Sequence, residues 1–122
     1  MSDNAVIDLL DEAKRFLTEK GWTQGAFARN SSGARTSYAD KGACSFCLRG
    51  AMMAATTKTE SDVRSEAEFR LYQALIQVLP KGTVDPYAQG GVDTVSYNDT
   101  PGRTREDILN LIDIAKRLEK GE

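Results

Sequence analysis

The chain has 122 residues, of which 40% are hydrophobic and 28% charged, and its formal charge is −2. This length and composition indicate one globular domain over residues 1–122 with a single core. This charge balance gives no sign of nucleic-acid binding, and no apolar run is long enough to cross a membrane. With no histidine and two cysteines, the chain excludes Ser-His-Asp and Cys-His catalysis, and we expect no metal site, no cofactor and no disulfide framework.

The first predicted element is an amphipathic helix over residues 3–20. Its inward positions recur at helical spacing and are Val6, Leu9, Leu10, Ala13, Phe16 and Leu17. Gly21 follows as a natural helix stop. Residues 1–4 are acidic and polar, unlike the basic start of a signal peptide, so we expect a cytoplasmic protein.

Residues 22–38 alternate weakly between apolar and polar around the turn-forming sequence Asn-Ser-Ser-Gly at 30–33, which favours a short β-hairpin. Trp22 either packs back onto the last turn of the first helix or stacks on a ligand. Gln24 and Arg29 either line such a ligand pocket or are exposed residues of the hairpin.

The second predicted helix covers residues 43–56 and contains Cys44 and Cys47 at the spacing of a redox pair. Core packing is the better-supported interpretation, because the cysteines share one helical face with Leu48, Ala51, Met52 and Ala55. Gly50 is off that face, where a glycine costs about 1 kcal/mol relative to alanine. Gly50 therefore indicates either that another segment approaches the helix closely or that the helix simply tolerates a glycine at this position.

The third predicted helix covers residues 61–79 and ends before Pro80. Its buried stripe is Val63, Ala67, Leu71, Ala74, Leu75 and Val78. Residues 82–102 are predicted to be irregular, with a short strand at 92–97. The fourth helix covers residues 104–120, with inward-facing Ile108, Leu111, Ile112, Ala115 and Leu118.

The turn at residues 98–104 is the first candidate for a ligand site. Thr104 is a good N-cap with Asp107 three residues later, whereas Arg103 and Arg105 stand at the positive end of a helix, where cations are disfavoured. Either Glu106 and Asp107 neutralise the arginines, or free helix amides and arginines form a site for phosphate or carboxylate. The candidate ligand-binding residues are Trp22, Gln24, Asn98, Asp99, Arg103, Thr104 and Arg105.

Three ordered motifs carry a resemblance to a known family. They are Gly-Trp-Thr-Gln-Gly at 21–25, Phe-Cys-Leu-x-Gly-Ala at 46–51, and Asn-Asp-x-Pro-Gly-Arg-Thr at 98–104. Over nearly its whole length the chain resembles a family of small bacterial proteins of unknown function. The resemblance implies a compact single domain in a bacterial or bacteriophage setting, and it implies no activity. The motif residues are Trp22, Gln24, Cys47, Gly50, Asn98, Asp99, Pro101, Arg103 and Thr104.

The predicted fold is mainly α, with four packed helices and a small β-hairpin or ribbon. The leading functional hypothesis is a non-catalytic binding or interaction module, with an anionic small molecule or a protein as its partner. The alternatives are a small enzyme with Asp99 as acid/base and Arg103 stabilising an anion, and a thiol redox protein using Cys44 and Cys47. Candidate residues grouped around one concavity would favour ligand binding or catalysis, whereas mutual hydrogen bonds would favour an interaction protein.

Overall fold

The computed structural model describes residues 4–56, 61–80 and 91–121. In those ranges the fold is mainly α with one small antiparallel sheet, which confirms the predicted class. The elements are α1 (Ala5–Glu19), β1 (Ala28–Arg29), β2 (Arg35–Thr36), β3 (Ser45–Phe46), α2 (Leu48–Ala55), α3 (Ser61–Val78), α4 (Gly91–Asp99) and α5 (Arg105–Glu119). In the described part of the chain, every helix is too short or too polar to cross a membrane.

The core lies where α1, α2, α3 and α5 pack against one another. The predicted stripes of α1 and α5 are buried, except that Phe16 and Leu118 are only partly covered. Phe16 instead packs its ring edge-to-face against Phe46, with centroids 5.3 Å apart. In α3 the middle of the stripe is buried, but Val63 is only partly covered and Val78, in the last turn, is 37% exposed. The prediction that Val78 belongs to the core is therefore wrong.

The predicted hairpin is present, and it is extended by a third strand. β1 pairs with β2 around the 30–33 turn, where the Asn30 side chain accepts hydrogen bonds from the amides of Ser32 and Ala34. β3 pairs with the other edge of β1. The sequence instead assigned β3 to the start of a helix over residues 43–56, and α2 begins only at Leu48.

The helix α2 starts only at Leu48 because the backbone before it is hydrogen-bonded to segments distant in sequence. The Cys44 amide donates to the Arg29 carbonyl at 2.8 Å, and the Phe46 amide donates to the Gly21 carbonyl at 3.0 Å. Cys47 is buried and is the N-cap of α2, its Sγ accepting from the Gly50 amide at 3.2 Å. Cys44 lies outside the helix and is exposed. Core packing is thus correct for Cys47 and wrong for Cys44.

At Gly50 the backbone of Phe27 approaches α2 closely, which confirms one of the two interpretations of a glycine inside this helix. A Cβ atom built there would lie 1.9 Å from the Phe27 carbonyl oxygen and 2.8 Å from its carbonyl carbon. Real Cβ atoms do not come so near to backbone atoms, so a side chain here would force the 25–27 loop away from α2. The same Phe27 carbonyl accepts a hydrogen bond from the Cys47 amide.

The segment at 92–97 is helical, and the prediction of a strand there is wrong. α4 buries Thr94, Tyr97 and Asn98, which recur at the spacing of one helical face, and it packs against α2 and α3. Tertiary packing of α4 overrides the strand preference of its β-branched residues Thr94 and Val95. Residues 82–90 of the predicted irregular segment lie outside the described residues.

Candidate functional site

Asn98, at the end of α4, is the best-bonded polar side chain of the site, and it is 0% exposed. Its Oδ1 accepts hydrogen bonds from the Trp22 indole Nε1 at 2.7 Å and from the Leu48 amide at 3.0 Å. Its Nδ2 donates to the Thr23 carbonyl at 3.0 Å and to Asp99 Oδ1 at 2.9 Å. A carboxamide offers two donors and two lone pairs, so this side chain has no bonding capacity left for a ligand.

Gln24 and Asp99 complete the connection between the loop after α1 and the end of α4. Gln24 Nε2 donates to the carbonyls of Asn98 and Thr100, both at 3.0 Å. The Gly25 amide donates to Asp99 Oδ1 at 3.0 Å. These bonds satisfy carbonyls that the last turn of a helix leaves without partners. We call Trp22, Gln24, Asn98 and Asp99 the Asn98 cluster; the structure brings these four predicted site residues together.

Arg103 contacts the end of α4 rather than the start of α5. Its Nε donates to the Tyr97 carbonyl at 3.0 Å, and its guanidinium lies 3.8 Å from the centroid of the Tyr97 ring. Desolvation raises the pKa of the Tyr97 hydroxyl, although the guanidinium acts in the opposite direction. A cation at the C-terminal end of a helix is electrostatically favoured. Arg103 therefore looked misplaced in the sequence because α4 had not been predicted.

Thr104 and Arg105 form the first turn of α5. The Thr104 hydroxyl accepts from the Asp107 amide at 3.2 Å, and the Asp107 carboxylate accepts from the Thr104 amide at 3.0 Å. This capping box confirms the predicted N-cap. Arg105 Nε lies 3.9 Å from a carboxylate oxygen of Glu106. Local capping thus accounts for Thr104, and the Arg105 charge has an acidic neighbour.

A cavity of about 370 Å³ lies beside the Asn98 cluster. Its lining comes from the 25–27 loop, β2, the start of α2 and one face of α4. The lining residues are Gly25, Ala26, Phe27, Arg35, Thr36, Cys47, Val95 and Asp99. Of the predicted site residues, Asp99 alone lines it. No sequence pattern marked the other lining residues as binding residues, because they meet only after the loop, the sheet and α4 have packed together.

The Cys47 thiol in this cavity wall is poorly suited to redox chemistry. Burial raises the pKa of the Cys47 thiol, and the nearby Asp99 carboxylate adds to that increase, whereas backbone amides, including that of Gly50, act in the opposite direction. Reactive cysteines are thiolates with lowered pKa values. Both cysteines are free thiols, and Cys44 Sγ donates to the Gly42 carbonyl at 3.3 Å. Within the described residues, no three acidic or cysteine side chains are grouped to hold a metal ion.

The model of a Family of unknown function (DUF6197) matches residues 1–118, so the chain belongs to that family. Neither the curated proteins nor the solved structures include a match to this chain. The family assignment agrees with the resemblance seen in the three ordered motifs. The motif residues can now be assigned contacts: most of them build the Asn98 cluster or, like Gly50, permit the 25–27 loop to pack on α2.

Replacing Asn98 by Asp should destabilise the protein by roughly 2–4 kcal/mol, because a buried charge would replace the two donors that reach the Thr23 carbonyl and Asp99. The free energy of unfolding from urea titration measures the change. Asn110→Asp is the matched control at an exposed position of α5, and we expect it to alter stability by less than about 0.5 kcal/mol. Equal effects of the two substitutions would contradict this description of Asn98.

The cysteines should differ in reactivity, with Cys44 labelled in the native protein and Cys47 only on unfolding. Burial raises the pKa of the Cys47 thiol above its value in the unfolded chain. The contribution of this thiol to the free energy of unfolding is therefore complete below the ordinary thiol pKa of about 8.5, and it is lost as the pH rises through the folded pKa. The difference in the free energy of unfolding between the parent and Cys47→Ala should therefore decrease above about pH 8.5.

For Cys44→Ala, the control, we expect only a small change in the free energy of unfolding, since Cys44 is exposed. Mass spectrometry after pulse alkylation and urea titrations at several pH values measure both effects. Equal native labelling of the two thiols would show that Cys47 is not buried as described.

Proposed function

We propose that this member of the family is a non-catalytic binding module whose site is the cavity beside the Asn98 cluster. The observation that carries the proposal is the cavity, because the mutual hydrogen bonds of the motif residues would by themselves favour an interaction protein. Trp22, Gln24 and Asn98 direct their polar atoms at one another and at the backbone, which holds the 22–25 loop against α4. The neighbouring cavity keeps a carboxylate and a guanidinium on its walls without an ion pair between them.

The size and lining of the cavity support binding of a small molecule or of one side chain of a partner. Ligand sites are typically about 300–1,000 Å³, mostly apolar, with a few placed polar groups. This cavity of about 370 Å³ combines the apolar Ala26, Phe27 and Val95 with the charged Arg35 and Asp99. Phe27 is 48% exposed, which leaves an aromatic surface for an incoming ligand.

The catalytic alternative has less support, because Asp99 and Arg103 have different surroundings. The Asp99 carboxylate accepts from the Gly25 amide and from Asn98, whereas Arg103 lies on the carbonyl and ring of Tyr97. Acid/base chemistry with electrostatic stabilisation requires both groups at one reacting centre. The same engagement of Arg103 weakens the case for an anion site at the 98–104 turn. The redox alternative would need a reactive Cys47, and burial favours its neutral thiol.

We expect fragment-sized ligands to bind in the cavity and to be excluded by Val95→Phe, because the larger side chain would fill the space against which they pack. Two-dimensional amide NMR with a fragment library measures this. In the parent, shift changes should cluster at residues 25–27 and 95–99.

Ser96→Phe is the matched control, since it adds the same phenyl group at the next, exposed position of α4. This variant should bind the same fragments as the parent. The proposal fails if the shift changes cluster at residues 103–105 instead, or if Val95→Phe binds as the parent does.

A further inference from the structure

The Asp99 carboxylate in the cavity has no ion-pair partner among the described residues, unlike the carboxylates of Glu119 and Glu68. Glu119 pairs with Arg70 at 2.9 Å, and Glu68 pairs with Arg49 at 3.0 Å. Asp99 is also only partly exposed, yet among the described residues no lysine or arginine nitrogen lies within 4.0 Å of it. One oxygen is held by two N–H donors, so the carboxylate is fixed in position without being neutralised.

The cavity lining also carries a positive charge, that of Arg35 on β2. Its guanidinium has neither an ion pair nor a hydrogen bond with any other described residue. Arg35 is exposed on β2, the edge strand that pairs only with β1. A guanidinium is the side chain best shaped to bind a carboxylate through two parallel hydrogen bonds.

These two charges restrict which ligands the cavity favours. A ligand that carries only a positive charge is attracted by Asp99 and repelled by Arg35. A ligand that carries only a negative charge is attracted by Arg35 and repelled by Asp99. A ligand that carries both charges is attracted at both residues. Such a site achieves specificity by attracting the correct ligand and repelling ligands with a single charge. No Arg35 nitrogen lies within 4.0 Å of an Asp99 oxygen, so a ligand that bonds to both needs a spacer between its two charged groups. The apolar residues Ala26, Phe27 and Val95 of the lining are available to contact such a spacer.

We infer that the cavity binds a small zwitterion of the amino-acid type, with its ammonium group at Asp99 and its carboxylate at Arg35. The inference rests on the proposed binding function and specifies its ligand class. Charge-assisted hydrogen bonds form at both ends, and the spacer packs on the apolar lining.

A series of ω-amino acids tests the inference and measures the span between the two charges. The probes are glycine, β-alanine, 4-aminobutyrate and 5-aminopentanoate, with butylamine and butyrate as single-charge controls. Amide NMR titrations give the dissociation constants. We expect one member of the series to bind at least ten-fold more tightly than either single-charge control, with shift changes at residues 25–27 and 95–99.

Two substitutions should each remove one of the two charge interactions that favour a zwitterion. Asp99→Asn keeps an oxygen for the Gly25 amide but loses the charge, so the best zwitterion should bind no better than butyrate. Arg35→Gln should reduce its binding to that of butylamine. Asp62→Asn and Arg117→Gln remove the same charges at exposed positions and should bind as the parent does.

The outcomes separate this inference from the proposed function. If fragments bind in the cavity and Val95→Phe excludes them, but zwitterions have no ten-fold advantage, the ligand class is wrong and the binding function remains. The same conclusion follows if Asp99→Asn and Arg35→Gln retain the advantage in folded protein, as judged by their amide spectra. If no probe or fragment shifts the cavity residues, both the inference and the proposed function are overturned.

Discussion

The buried carboxamide of Asn98 is the interaction on which the arrangement of this protein's loops depends. It joins three segments that are far apart in the sequence: the loop after α1, the first amide of α2 and the end of α4. Each buried polar group that lost its partner would cost about 1–3 kcal/mol, so the network is favourable only when it is complete. The 22–25 loop is therefore fixed by these polar bonds and by the packing of Trp22 against the core.

A second constraint acts on the next residues of the same loop. Gly50 allows the Phe27 carbonyl to lie directly against α2, where the Cys47 amide donates to it. The loop is thus held at its start by Asn98 and at its end by the N-terminus of α2. The cavity lies between these attachments and β2, so its shape follows from them. In this arrangement most motif residues hold the loop in place beside the cavity, and Asp99 contributes to both the network and the cavity lining.

Local chemistry was sufficient to predict the helices that carry continuous apolar stripes. The periodicity of Leu9, Leu10 and Ala13 identified α1, and Thr104 with Asp107 identified the start of α5. β3 and α4 could not be found in this way, because their structure depends on partners distant in sequence. Phe46 is extended because it pairs with Gly21 and with β1, although its neighbours favour a helix.

The candidate site shows the same limit of sequence reasoning. Turn chemistry and motif order pointed to Trp22, Gln24, Asn98 and Asp99, and the structure brings these together. Arg103 was assigned to the wrong helix end, since the sequence did not reveal that a helix ended just before it. Phe27, Arg35 and Val95 carried no signal because a cavity wall is a product of tertiary packing rather than of any local pattern.

Native-state hydrogen exchange at two protons tests most directly whether Asn98 fixes this part of the fold. The Trp22 indole Nε1–H and the Leu48 amide both donate to the same oxygen, Asn98 Oδ1. If the network opens only as a unit, both protons exchange with a similar and large opening free energy, close to that of the buried amides of α1. Rapid exchange of the Trp22 indole proton while the α1 amides stay protected would show that the loop opens independently, and it would contradict the central role given to Asn98.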